Sequence, residues 1–177
     1  MALREIVLVP DPVLRRKAKK VAKVTPAIQR LLDDMAETMR AAPGVWLAGP
    51  QIGVLQRVIV VEVQPDPDKP DTQHEFYQLV NPEIAKTSQE TEEGSEGCLS
   101  IPGYVGDVVR AVAVDVKALD RSGKPIKIKA RGFLARVLQH EIDHLDGILY
   151  LDRLAGPDKL HQLPEDDAIP EETKVVA

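Results

Sequence analysis

Residues Phe133 to Leu145 impose the strongest constraint on this chain. Phe133, Leu134, Val137, Leu138 and Ile142 recur at helical spacing, and Gly147 stands just past the point where that helix would end. Inside it runs His140-Glu141-Ile142-Asp143-His144. Two histidines four residues apart share one helix face, one turn apart, as a common tetrahedral metal requires. Glu141 follows the first histidine, where a carboxylate reaches a water at that metal. The same string also fits two satisfied core histidines beside a solvated glutamate, so a third ligand has to decide.

Three residues compete for that role. A longer metalloprotease pattern would need a histidine where Tyr150 stands, and tyrosine is a poor ligand at neutral pH. Glu165 has the downstream separation of another familiar arrangement, but it sits among Pro164, Asp166 and Asp167, beyond the last patterned segment. Cys98, in Glu96-Gly97-Cys98-Leu99-Ser100, is the only cysteine. A lone cysteine excludes an intrachain disulfide framework, and free cysteines are commonly small core residues. As a thiolate it would join two imidazoles and leave the fourth tetrahedral position open.

The rest of the pattern predicts one α+β domain. Thr25-Pro26 supplies a hydroxyl cap and a first-turn proline for a helix carrying Ile28, Leu31, Leu32, Met35 and Met39, which should end near Ala41 or Ala42. Strands are expected at Ile6–Val9, Leu55–Val63 and Phe76–Val80, the last stopped by Asn81-Pro82. A hairpin should join Val108–Leu119 to Pro125–Ala130 through Asp120-Arg121-Ser122-Gly123. Gln64–Glu75 and Thr87–Gly97 read as polar loops. The resulting picture is antiparallel or mixed sheet packed around a central metal-bearing helix.

Three segments resemble the three motifs of peptide deformylases, in order and spacing: Gly44-Val45-Trp46-Leu47-Ala48-Gly49-Pro50-Gln51, Glu96-Gly97-Cys98-Leu99-Ser100, and Gln139-His140-Glu141-Ile142-Asp143-His144-Leu145-Asp146-Gly147. The wording is similar to the type shared by bacteria and by plant and animal organelles. The resemblance covers residues 1–155, with 156–177 as a C-terminal extension. It implies that Cys98, His140 and His144 hold one divalent metal, Fe(II) natively, with Zn(II), Ni(II) or Co(II) able to replace it. Glu141 would be the general base, while Gln51 and the Leu99 backbone N–H would bind the developing oxyanion. The implied reaction removes the formyl group from N-formylmethionyl nascent chains and releases formate. Substrate would run as an added strand near Gly44, Val45, Trp46 and Gly97, and Val45 and Val137 are expected in the methionine pocket. Glu96 and Arg110 are candidates for a supporting pair around Cys98. Asp143 is expected to face solvent or cap a neighbour.

Two positions depart from the family pattern. Glycine is usual where Trp46 stands, and alanine is frequent where Gly49 stands. Gly49 should be a modest change. Trp46 puts the largest side chain beside backbone expected to meet substrate, so it should narrow or cover the groove. Two alternatives follow: a weakened member that binds N-terminal peptides, or a general HExxH metallopeptidase cutting internal bonds.

Charge bears on partners. The formal net charge is −5, and residues 164–177 hold five acids against Lys174, so the remaining 163 residues are nearly neutral. That tail reads as acidic and flexible. An aromatic content of 3% offers few stacking platforms, and the charge disfavours DNA or strong RNA binding. The basic run Arg15, Arg16, Lys17, Lys19 and Lys20 is a candidate for transient ribosome contact. No stretch reads as a membrane span or signal peptide. The expected location is cytoplasmic, with a mature mitochondrial or plastid protein lacking its transit peptide as the alternative.

Overall fold

In the computed structural model, residues 2–42, 44–65 and 73–164 are described. Helix α1 (Pro26–Ala41) opens as its sequence predicts, with the Thr25 hydroxyl accepting the Ile28 N–H at 3.4 Å. Eight strands and a second helix follow: β1 (Trp46–Ala48), β2 (Val58–Val63), β3 (Glu75–Thr87), β4 (Thr91–Cys98), β5 (Ile101–Ala111), β6 (Ala113–Leu119), β7 (Pro125–Arg131), α2 (Gly132–Leu145) and β8 (Leu160–Gln162). One sheet has the order β1-β2-β3-β6-β7 and the other β4-β5-β8. Every ladder between these strands is antiparallel.

The valine run of β2 explains the layering. Val58 and Val60 face α1 and pack with Leu32, Met35 and Met39. Ile59 and Val61 point the other way, toward Ala135, Val137 and Leu138 of α2. A strand covered on both faces reads as a continuous apolar run, which is what this segment shows. Helix α2 thus lies on the inner face of the large sheet, and β5 of the small sheet packs against it as well. Gly147, at φ 74°, turns the chain out of α2 in a conformation that only glycine adopts without cost.

The fold departs from sequence expectation in four places. The expected Val108–Leu119 strand is divided, with Val108–Ala111 ending β5 of the small sheet and Ala113–Leu119 forming β6 of the large one. β3 continues through Asn81-Pro82 to Thr87, bending there as it passes from β2 to β6, with a register shift between Val80 and Glu83. The shift accommodates the proline, which has no N–H to give a ladder. Asn81 takes φ 53°, and its side-chain amide exchanges two 2.8 Å hydrogen bonds with the Val21 backbone. The polar stretch after Thr87 contains β4, whose buried residues are Cys98 and the charged, paired Glu96, with Gly94 before them, so no apolar periodicity could reveal it. Ile6–Val9 forms no strand. It is a strap, with Val7 N–H donating to the Gln51 carbonyl at 2.7 Å and Val9 N–H to the Ser100 carbonyl at 3.0 Å. Residues 165–177, and with them Glu165 and the acidic tail, lie outside the described residues, as do Pro43 and 66–72 of the first polar loop.

Candidate active site

From Leu134 to Leu145 every residue of α2 is buried, so each polar side chain on it must find a partner inside the protein. Arg136 donates to the carbonyls of Glu92 and Val108, both at 2.8 Å. Gln139 exchanges hydrogen bonds with Ala111, donating at 2.9 Å and accepting at 3.2 Å. Asp143 was expected at the surface or as a cap; it is buried. It accepts from Arg110 at 2.6 Å and from both Arg153 donors at 2.7 and 2.8 Å. A carboxylate in the interior persists only when cations meet it, and two do so here.

Four buried atoms of α2 have no partner among the described residues: Nε2 of His140, both carboxylate oxygens of Glu141, and Nδ1 of His144. Opposite them stands Cys98, the last residue of β4, held by the tight Cys98–Ile101 turn into β5. Its Sγ is 3.3 Å from Nε2 of His144, and donor atoms of Cys98, His140 and His144 all lie within 4.8 Å of one another. Burial pushes the Cys98 thiol up to about 12, with Glu141's charge adding to the rise and hydrogen bonds around Ser100 opposing it. Burial, then the neighbouring His140 and Arg110, hold His144 well below the usual imidazole range. A soft sulfur and two imidazoles, each with an unpartnered ring nitrogen, form a donor set that fits one divalent metal ion.

Carboxylates set the charge around this centre. Glu96 accepts from Nδ1 of His140 at 2.9 Å, from Arg110 at 2.9 and 3.0 Å, and from Arg136 at 3.0 Å. Burial works against its ionisation, yet the His140 and Arg110 hydrogen bonds prevail and bring its carboxyl down to about 2. Glu141 has no such donors, and burial followed by the charge of Glu96 lifts its carboxyl well above the usual range. Two glutamates in one site therefore differ in proton affinity.

The first motif closes the site from the β1 side. Gln51 is buried in the short 3-10 turn Gly49–Ile52, and its Oε1 accepts the Ala48 N–H at 2.8 Å. Its Nε2 then points at the centre, 3.4 Å from Cys98 Sγ and 3.2 Å from Ser100 Oγ. Gly49 is tighter than sequence reading allowed. A Cβ there would lie 2.7 Å from the Gln56 carbonyl oxygen and 2.8 Å from that of Val54. A groove of about 220 Å³ runs past these elements, lined by Gly44, Val45, Trp46, Gly97, Cys98 and Leu99 on the motif side and by Tyr104 and Leu163 opposite. Val137 does not reach it, being fully buried against the large sheet. Trp46 is half-buried and extended in register with Val61, so its backbone is unstrained; the expected conflict is one of space alone. Arg136 and Arg153 carried no sequence signal, since only tertiary contact brings them here, and Tyr150, weighed from the sequence as a ligand position, instead stacks its ring on His140.

A cysteine and two histidines around an orphaned glutamate, on a central helix between antiparallel sheets, define a mononuclear metallohydrolase. The polypeptide deformylase family model matches residues 3–160. The chain belongs to that family. It is 54% identical over 175 residues to a peptide deformylase of Symbiobacterium thermophilum, covering 99% of this chain and 76% of that protein. It is 49% identical over 174 residues to one from Dehalococcoides mccartyi, covering 98% and 99%. A solved peptide deformylase from Ehrlichia chaffeensis superposes with a TM-score of 0.83 at 42% identity, covering 87% and 89% of the two chains. A class I type b peptide deformylase from Acinetobacter baumannii, solved with Met-Ala-Ser bound, gives a TM-score of 0.81 at 37% identity, covering 86% and 99%. Among the described residues no helix is long and apolar enough to cross a membrane.

Proposed function

We propose that this protein hydrolyses the N-terminal formyl group of N-formylmethionyl polypeptides, giving formate and a free amine. The observation that carries the reading is the convergence of Cys98, His140 and His144 within 4.8 Å, with both oxygens of Glu141 unpartnered beside them. When bound at those three residues, the divalent ion, Fe(II) by family resemblance, supplies Lewis acidity and a low-pKa water. Glu141 takes the proton of the attacking water and returns one to the departing nitrogen; its raised proton affinity suits both steps. Gln51 Nε2 and the Leu99 N–H stabilise the negative charge that develops on the formyl oxygen. Glu96 fixes the His140 ring through Nδ1 and so keeps Nε2 turned to the centre.

The peptide runs along Gly44, Val45 and Trp46, where β1 is an edge strand paired with β2 alone among the described residues, and past Gly97. The Met-Ala-Ser complex of the Acinetobacter relative supports an N-terminal methionine peptide in this groove. We take residues 1–155 as the catalytic unit and 156–177 as an extension whose described part, β8, pairs with β5. The substrate places the work near the ribosome exit, in the cytoplasm. Direct contact there would be transient, because Arg15, Lys17 and Lys20 are already paired with Asp152, Asp146 and Glu83. Formate release from formyl-Met-Ala-Ser, beside acetyl-Met-Ala-Ser, tests the reading. Release from the formyl peptide alone is expected; internal cleavage of either peptide, or no formate from metal-loaded protein, overturns it.

A further inference from the structure

Along α2, Phe133, Val137 and His140 form one stripe, spaced as i, i+4 and i+7. Phe133 and His140 are thus about 10 Å apart along the helix axis. Yet the Trp46 ring centroid is 5.6 Å from each of their rings. A ring that reaches both must sit over the residue between them, which is Val137. The strand supports this. Ala48, two residues on and so on the same face of β1, packs into the α2 core, while Leu47 packs on the α1 side. Val137 is completely inaccessible although Phe133, one turn away, is 51% exposed. The indole therefore shuts the helix face beside the metal ligands and offers its own surface to the groove, which Val45 and Leu99 also line.

We propose that Trp46 sets the selectivity for the first side chain of the substrate, replacing a deep slot against α2 with a shallow indole-floored shelf. This rests on the deformylase reading above. A slim unbranched chain such as methionine lies across the shelf, its sulfur on the aromatic face. A phenyl ring needs depth that the indole occupies. Neither residue is charged, so the discrimination is steric and apolar.

The test uses metal-loaded full-length protein and peptides formyl-Xaa-Ala-Ser with methionine or phenylalanine first. Trp46→Ala should raise the Phe-to-Met ratio of kcat/KM about tenfold, carried mainly in KM, the size of effect expected when apolar space is opened in a pocket. Trp46→Phe should fall between the two. A ratio within twofold of the parent, at equal metal content, overturns the proposal. Trp46 is the only tryptophan, so its fluorescence provides a second measurement that needs no variant and no turnover. Met-Ala-Ser should shift the emission of the parent protein at concentrations at least tenfold below those at which Phe-Ala-Ser does so. Equal titrations, or no shift at saturation, overturn the shelf. Absence of formate from every peptide overturns the deformylase reading instead, and the fluorescence titration then still decides the shelf.

Discussion

Nδ1 of His140 lies 2.9 Å from Oε2 of Glu96, with both side chains 1% exposed, and this contact leaves Nε2 unpartnered for the cluster with Cys98 and His144. Glu96 is itself held by two nitrogens of Arg110, whose third donates to Asp143. The orientation of a metal ligand is thereby secured by a chain of buried charges running from β4 through β5 and back to α2.

Glu96→Ala should weaken metal binding by about 10- to 100-fold, the range typical of lost carboxylate support behind a ligating histidine. It also leaves Arg110 with Asp143 alone and Arg136 with backbone carbonyls alone, which should cost up to about 3–5 kcal/mol. Chelator competition and thermal melting check the two effects. Glu96→Gln keeps an acceptor for His140 and should retain more metal than the alanine variant.

Glu141→Gln should separate metal binding from chemistry. The amide fills the same volume but cannot take a proton, so formate release should fall about 100-fold or more. Metal content, measured by atomic absorption, should match the parent. Loss of metal along with activity would make Glu141 a ligand rather than a base.

Gly49→Ala tests how closely the first motif is packed. The added Cβ would meet two backbone carbonyl oxygens below 3.0 Å, and neither can rotate away. Overpacking of this kind costs about 1–3 kcal/mol, and each kcal/mol lowers Tm by about 2–4 °C at this chain length. Gly97→Ala is the control, since its Cβ would lie 3.6 Å from Val105 Cγ1, an ordinary contact, and Tm should hold.

Asp34 links stability to pH. Burial alone would raise its carboxyl, but the Ala2 N–H at 2.9 Å and Arg4 at 2.7 Å outweigh that and set it below its usual 3.8. A depressed folded-state pKa means that its stabilisation is complete above about pH 4 and fades as pH falls through the lower folded value. Melting from pH 6 down to pH 3 should show a shallower acid loss in Asp34→Asn than in the parent. Parallel curves would remove Asp34 from the acid response.

Much of this protein was legible before folding because its signals are local. The α2 stripe, the Thr25-Pro26 opening of α1 and the Asp120–Gly123 turn each depend on neighbours within a few residues, and each appears where periodicity and turn chemistry put it. Cys98, His140 and His144 were readable as donor types for the same reason. What escaped was long-range. β4 carries its inward charge on Glu96, which is tolerable only because Arg110 and Arg136 arrive from elsewhere in the chain. Asp143 looked like a surface acid because nothing nearby in sequence announces Arg110 or Arg153. Val137 looked like pocket lining until Trp46, 91 positions earlier in the chain, was found beside its helical neighbours.

By itself, then, the sequence determined the chemistry: which side chains can bind a metal, which carboxylate can move a proton, and which segments must be helix. Tertiary structure alone decided which of those charges are buried together, which oxygen and nitrogen atoms stay unpartnered, and which apolar surface a substrate can touch. The physical reason is that burial energies depend on residues far apart in the chain. Whether Glu141 holds a proton, or the face of α2 is open, is a property of the packed interior and of no local stretch.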